Sequence, residues 1–165
     1  MWTFCERLAA VVGTGFGVGL CPYAPGTMGA LLALVIWAIV GAVMPHSLLL
    51  LTGVLILLFL CLGIWSGSVM ERRWGTDPSR VVVDEMVGVW IPLLVVGSVF
   101  YDGDVCMRNI ILALLAFLLF RFFDIVKPLG IQRMERMQGG WGIMLDDVLA
   151  GVYSLVIIVV VQCWI

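Results

Sequence analysis

Charge is what this sequence has least of. Asp, Glu, Lys and Arg make up 12% of its 165 residues, about half the share of roughly 25% usual in a soluble domain. Hydrophobic residues make up 63%. A soluble module is thereby excluded, and an integral membrane protein is expected. With 9 Lys and Arg against 11 Asp and Glu, for a net charge of −2, no basic footprint exists for nucleic acid and no charge run forms an acidic tail. The chain has a single histidine, His46. Its five cysteines (Cys5, Cys21, Cys61, Cys106, Cys163) include no C-x-x-C pair. Neither a zinc site nor a disulfide framework follows, and the cysteines are expected to pack as small apolar groups. The opening "MWTFCERLAAVVGTG" lacks the basic start, long apolar core and small-residue cleavage site of a secretory signal, so it reads as part of the mature chain.

Long apolar runs fill the rest. Segments 29–44, 47–66, 83–100, 109–126 and 147–165 approach the roughly 20 apolar residues that a helix needs to cross a bilayer. The expected fold is all-α: a single domain over 1–165, an integral membrane bundle of about four to five apolar helices. Gly29, Ala33 and Gly41 recur on or near one helical face, as do Gly63 and Gly67, which suits close helix packing in lipid. With five crossings, one side receives Arg7, Arg72, Arg73, Arg80, Lys127, Arg133 and Arg136, while the other receives only Arg108. Basic loops stay on the cytoplasmic side. The N-terminus and the loops 67–82 and 127–146 are therefore expected to face the cytoplasm.

The charges that break the apolar pattern gather on that same face. They are Asp84 and Glu85, then Arg121, Asp124 and Lys127 at every third position, then Asp146 and Asp147. A carboxylate near a helix centre costs about 2.5 to 3.5 kcal/mol on the insertion scale, so five of them demand compensation. Asp146 and Asp147 fit the start of the last helix, where the dipole favours anions. Asp147, Gly151 and Ser154 also share one side, directing Asp147 into the bundle. Thr27, after Gly26, fits an N-cap whose neighbouring free amides could cradle a phosphate; a close-packed glycine turn explains the same stretch equally well. Hard oxygen donors without cysteine and with only a remote histidine suit Mg²⁺. Arg121 and Lys127 among them would hold an anionic group, which together argues for phosphate chemistry.

Three co-linear stretches carry a resemblance: "GTGFGVGLCPYAPGTMGAL", "VVVDEMVGVWI" and "FRFFDIVKPLGIQRMERMQGGWGIMLDDVLAGVYS". Together they resemble the bacterial phosphatidylglycerophosphatase A family over nearly the whole chain. The resemblance implies an all-helical, Mg²⁺-dependent lipid phosphatase of the inner membrane. Its substrate would be phosphatidylglycerophosphate in the bilayer, and its products phosphatidylglycerol and inorganic phosphate. On this basis Asp84, Asp124, Asp146 and Asp147 are expected to hold the metal. Glu85 is expected as the base, Asp146 has a second, catalytic role, and Gly26, Thr27, Arg121 and Lys127 are expected around the phosphate. Two rivals remain in view. "VFYDGDVCM", with Asp102 and Asp104, mimics the nucleophile loop of haloacid dehalogenase phosphatases. A small transporter or channel could use the bundle carboxylates as a cation site, although no internal repeat of the kind common in transporters is found.

Overall fold

A computed structural model describes residues 2–97, 107–128, 130, 131, 137 and 139–164. Six helices account for most of them: α1 (Phe4–Gly13), α2 (Pro25–Val43), α3 (Leu48–Trp74), α4 (Val83–Gly97), α5 (Met107–Val126) and α6 (Gly140–Trp164). No strand occurs among the described residues, in accord with the all-α expectation. Four helices, α2, α3, α5 and α6, are long and apolar enough to cross a membrane.

The fifth expected segment is set apart by its burial. Within the described residues α4 has 15 residues, about 22 Å at 1.5 Å per residue, and 98–106, which follow it, lie outside the described residues. It is the buried centre of the bundle. Met86, Val87, Val89, Trp90 and Leu93 are all fully buried, and α2, α3, α5 and α6 pack around it. A continuously apolar helix needs this surrounding wall, because its one interior polar side chain must find a partner inside protein. The Trp90 indole N–H donates to the Ala33 carbonyl of α2 at 2.9 Å, and the Phe59 ring meets the Trp90 ring edge-on at 5.2 Å. The proline within the helix, Pro92, is tolerated for the same reason: neighbouring helices shield the backbone it disturbs.

Glycines set how closely the helices approach. A Cβ on Gly151 of α6 would meet the Gly88 carbonyl of α4, and one on Gly88 would lie 2.9 Å from the Asp147 carbonyl. A Cβ on Gly67 of α3 would lie 3.2 Å from Gly140 of α6. The small-residue faces anticipated at Gly29, Ala33 and Gly41, and at Gly63 and Gly67, are all buried. The cysteines differ from expectation: Cys5, Cys61 and Cys163 are exposed on the outside of the bundle.

Helix boundaries shift in ways that matter for the site. α3 continues past the expected 66 to Trp74, carrying Arg72 and Arg73 in its last turn, where cations favour the helix dipole. α6 starts at Gly140, not at 147, because Ser68 Oγ of α3 accepts from the Gly140 N–H at 2.8 Å. Asp146 and Asp147 are therefore not caps; they lie in the second turn. At α2 the cap is Ala24, in a left-handed conformation with φ 46, and Pro25 opens the helix, so Thr27 is not its N-cap.

Before α2, the glycine stretch makes a tight turn. Gly15, Phe16 and Gly17 all have positive φ, a conformation that glycine adopts at little cost at both ends of the run. The turn packs against the segment leading into α4: the Val82 N–H donates to the Gly13 carbonyl at 2.8 Å. This part of the stretch is a packing device. α1 is tied to the end of α3 by Arg73 Nε donating to Glu6 Oε1 at 2.7 Å. That bond is the main cause holding the Glu6 carboxyl down at about 2 from 4.5. Its contribution is complete above pH 4.5 and is lost as pH falls toward 2.

The helix contacts predict a contrast between two glycines. Gly53 of α3 has open space where a Cβ would go, so Gly53→Ala should be neutral or stabilising by up to about 1 kcal/mol through helix propensity. Gly151→Ala presses on a backbone carbonyl and should destabilise by about 1–3 kcal/mol. Unfolding of both variants in the same detergent measures the difference, and equal stability would mean that the α4–α6 contact is not tight.

Candidate active site

Five helix ends meet at one end of the bundle: the starts of α2, α4 and α6 and the ends of α3 and α5. Between them lies a cleft of about 300 Å³ lined by Gly26, Asp77, Ser79, Asp84, Glu85, Arg121, Asp124, Lys127, Asp146 and Asp147 among others. All the charged residues expected at the site line this one cleft. Gly26 lines it too; Thr27, one residue deeper in α2, does not.

Local structure accounts for the placement. Asp84 and Glu85 occupy the first turn of α4, where anions meet the positive end of the helix dipole. The Glu85 N–H donates to Asp84 Oδ1 at 3.0 Å. Asp147 stands one turn before Gly151, and Asp84 one turn before Gly88. Because both helices start at the cleft and touch at those glycines, the two acids are brought side by side. Ligand oxygens of Asp84, Glu85 and Asp147 can all lie within 4.8 Å of one another.

The remaining charges pair across this trio. Arg121 donates to Asp124 on the last turns of α5. Lys127 does not continue that row. It lies just beyond the helix with φ 46, its N–H held by the Phe123 carbonyl at 2.8 Å. This turn swings its side chain to α6, where Nζ donates to Asp146 Oδ2 at 2.8 Å. Of the four expected metal ligands, two therefore fall in the trio and two carry cation partners, while Glu85 joins the trio. Asp84, Asp146 and Asp147 are all buried.

The charge balance is uneven. Among the described residues, six carboxylates line the cleft (Asp77, Asp84, Glu85, Asp124, Asp146, Asp147) against two cations, Arg121 and Lys127. Three polar atoms there are buried without a hydrogen-bond partner: Glu85 Oε2, Asp146 Oδ1 and Arg121 Nε. Leaving such groups unsatisfied costs about 1–3 kcal/mol each, more when charged. A divalent cation suits the excess of closely set hard oxygens, and so the donor set fits Mg²⁺.

Asp77 and Ser79 were not anticipated. They come from the "WGTDPSR" link between α3 and α4, and Asp77 has φ 47. Its position on the same face was readable from topology; that it turns into the cleft was not. Asp102 and Asp104, the haloacid dehalogenase-like pair, lie outside the described residues, as do Cys106, Arg133 and Arg136. Apart from Asp77 in the α3–α4 link, the site's carboxylates sit in the first two turns of α4 and α6 and the last turn of α5, whereas a transport pathway needs sites near mid-depth.

An acidic cleft with two embedded cations, at the ends of a bundle with four helices long and apolar enough to cross a membrane, marks a membrane protein. Comparison with known proteins narrows this. The sequence signature of the family described as Phosphatidylglycerophosphatase A matches residues 11–162, and the chain belongs to that family. A Bacteroides thetaiotaomicron protein named "Putative phosphatidylinositol-3-phosphatase" is 54% identical over 156 residues, covering 94% of both chains. Proteins named Phosphatidylglycerophosphatase A from Haemophilus influenzae and Escherichia coli are 37% and 32% identical. They cover 93% and 87% of this chain, and 88% and 77% of their own length is covered. No solved structure matches this chain.

The Lys127–Asp146 pair has a testable energetic signature. Removing Lys127 alone leaves a buried anion without its cation, an outcome that is strongly destabilising in general; with Lys127 partly exposed, Lys127→Ala should cost about 2 kcal/mol. The double variant with Asp146→Ala should recover at least half of that loss. Chemical unfolding in detergent gives the four corners of the cycle, and strict additivity would show that the two side chains do not interact.

Proposed function

We propose that this protein removes the terminal phosphate of phosphatidylglycerophosphate, giving phosphatidylglycerol and inorganic phosphate, with Mg²⁺ as cofactor and with its cleft facing the cytoplasm at a bacterial inner membrane. Family membership supports the reaction. The observation that carries it is the cleft's composition: cations able to grip a phosphate, set among carboxylates able to hold the countercharge that an anionic substrate requires. A phosphomonoester at the lipid surface reaches helix ends without leaving the bilayer. The bias of seven basic residues to one supports the cytoplasmic orientation.

In this reading Asp84, Glu85 and Asp147 hold Mg²⁺. When bound it supplies Lewis-acid neutralisation of the phosphoryl oxygens. Arg121, aimed by Asp124, binds the phosphate through its planar fork of donors. Gly26 gives the phosphate room against α2, since a Cβ there would overlap Glu85 Oε1 and lie 3.3 Å from an Arg121 nitrogen. Asp146 is the base: its Oδ1 has no other partner, and it takes a proton from the attacking water. A bond forms from that water oxygen to phosphorus as the bond to the glycerol oxygen breaks. Lys127 gives a proton to the departing alkoxide, and the proton on Asp146 returns to Lys127 across their 2.8 Å contact. The balance is one ester and one water consumed, one alcohol and one phosphate formed.

The name of the Bacteroides relative favours a second substrate, phosphatidylinositol 3-phosphate. Both lipids carry a phosphomonoester on a polyol that a phosphodiester joins to the lipid, so the same groups would act on either.

Phosphate release from each lipid by purified protein decides between them. The expected result is turnover of phosphatidylglycerophosphate that stops with a chelator and returns with Mg²⁺. Asp146→Asn should lower kcat at least 100-fold, within the 10²–10⁴ usual for a lost general base. Full activity under chelation would remove the metal from the reaction, and full activity of the variant would remove Asp146 as base.

A further inference from the structure

The phosphate cleft is not alone at this end of the bundle. Beside it lies a larger cavity, of about 470 Å³, formed where the end of α3, the end of α5 and the start of α6 diverge. Asp77, Lys127 and Asp146 line both cavities. The Lys127–Asp146 ion pair thus stands as a sill between them. The second chamber adds Glu71 from the last turn of α3 and Thr76 from the following link, facing apolar residues such as Ile125 and Ile143. Its size falls within the range of cavities that bind small molecules, roughly 300–1,000 Å³.

The charge of the described residues that line this chamber bears on what it takes. Among them Glu71, Asp77 and Asp146 oppose one cation, Lys127, whose ammonium is already engaged by Asp146 Oδ2. Against these residues a second anionic group meets net repulsion. A neutral polyol does not: its hydroxyls donate to the carboxylates of Glu71 and Asp77, while its C–H faces lie on the isoleucines. Any group attached to a phosphate in the first cleft, and leaving over the sill at Lys127, enters this chamber next.

We infer that the chamber between α3, α5 and α6 is the polyol subsite of the enzyme, in which Glu71, Thr76 and Asp77 select a hydroxylated headgroup between the phosphomonoester and the phosphodiester. This rests on the phosphatase reading above. It identifies Glu71 and Thr76 as specificity-determining residues that lie outside the phosphate cleft. The shared chemistry is a polyol, and either glycerol or inositol supplies it.

The test compares three lipids that carry a phosphomonoester: phosphatidylglycerophosphate, phosphatidylinositol 3-phosphate, and phosphatidic acid, which has no polyol beyond its diacylglycerol. Wild-type protein should prefer one of the polyol lipids to phosphatidic acid, and the preferred one names the source. In Glu71→Gln the ratio of kcat/KM for that lipid to kcat/KM for phosphatidic acid should fall about tenfold, the equivalent of one good hydrogen bond of about 1.4 kcal/mol, mainly through KM. Thr76→Val, a smaller change, should move the ratio in the same direction. An unchanged ratio in both variants, or a parallel loss on all three lipids, overturns the subsite while leaving the phosphatase reading standing. No phosphate release from any of the three lipids by wild-type protein overturns that reading and the subsite with it.

Discussion

One contact organises the molecule: the near touching of the α4 and α6 backbones at Gly88 and Gly151. Both helices begin at the same end of the bundle, so a close approach at these glycines also aligns the turns before them. Asp84 lies four residues before Gly88 and Asp147 four before Gly151. Four residues is about one helical turn, so each acid stands on the face of its own glycine. Where the glycines touch, the acids must meet. A larger side chain at either glycine would separate the helices and spread the carboxylates that the cleft depends on.

Bringing anions together in an apolar bundle costs free energy, and the surrounding elements offset it in different ways. Helix dipoles favour Asp84 and Glu85 in the first turn of α4. Arg121 and Lys127 neutralise Asp124 and Asp146. The excess that remains, with Glu85 Oε2 and Asp146 Oδ1 unpartnered, is what the proposed cation, and through it a phosphate, would offset. A site fully neutralised by its own side chains would be more stable and would lack that opening. The central α4 serves the same end. Starting at the same end of the bundle as α2 and α6, it places its charged first turn at the cleft while its apolar remainder stays enclosed.

The two adjoining chambers divide recognition in a way that suits a lipid headgroup. Among the described residues, one carries Arg121, Lys127 and the carboxylate trio, and the other is acidic on one wall and apolar on another. The Lys127–Asp146 pair between them is where the ester bond would break, so the division of charge follows the division of the substrate.

Much of this was legible in the amino-acid order. Hydropathy marked five apolar segments, four of which the structure shows as helices long enough to cross a membrane, because a bilayer sets the length of an apolar run. The bias of Arg and Lys placed the charged stretches on one face, and the three-residue and four-residue spacings put Arg121 beside Asp124 and Asp147 on the side of Gly151 and Ser154. Spacing reports only neighbours on a single helix, however. Which carboxylates form the trio, that Lys127 leaves the row of Arg121 to reach Asp146, and that Asp77 turns inward all depend on where helices cross and how their ends bend. Those are set by contacts between residues far apart in the chain: Gly88 on Gly151, Ser68 on Gly140, Gly13 on Val82. The chain's order by itself determined which groups arrive at the membrane surface; only the tertiary structure decided which of them meet, because distance across a bundle is fixed by packing and not by position in the sequence.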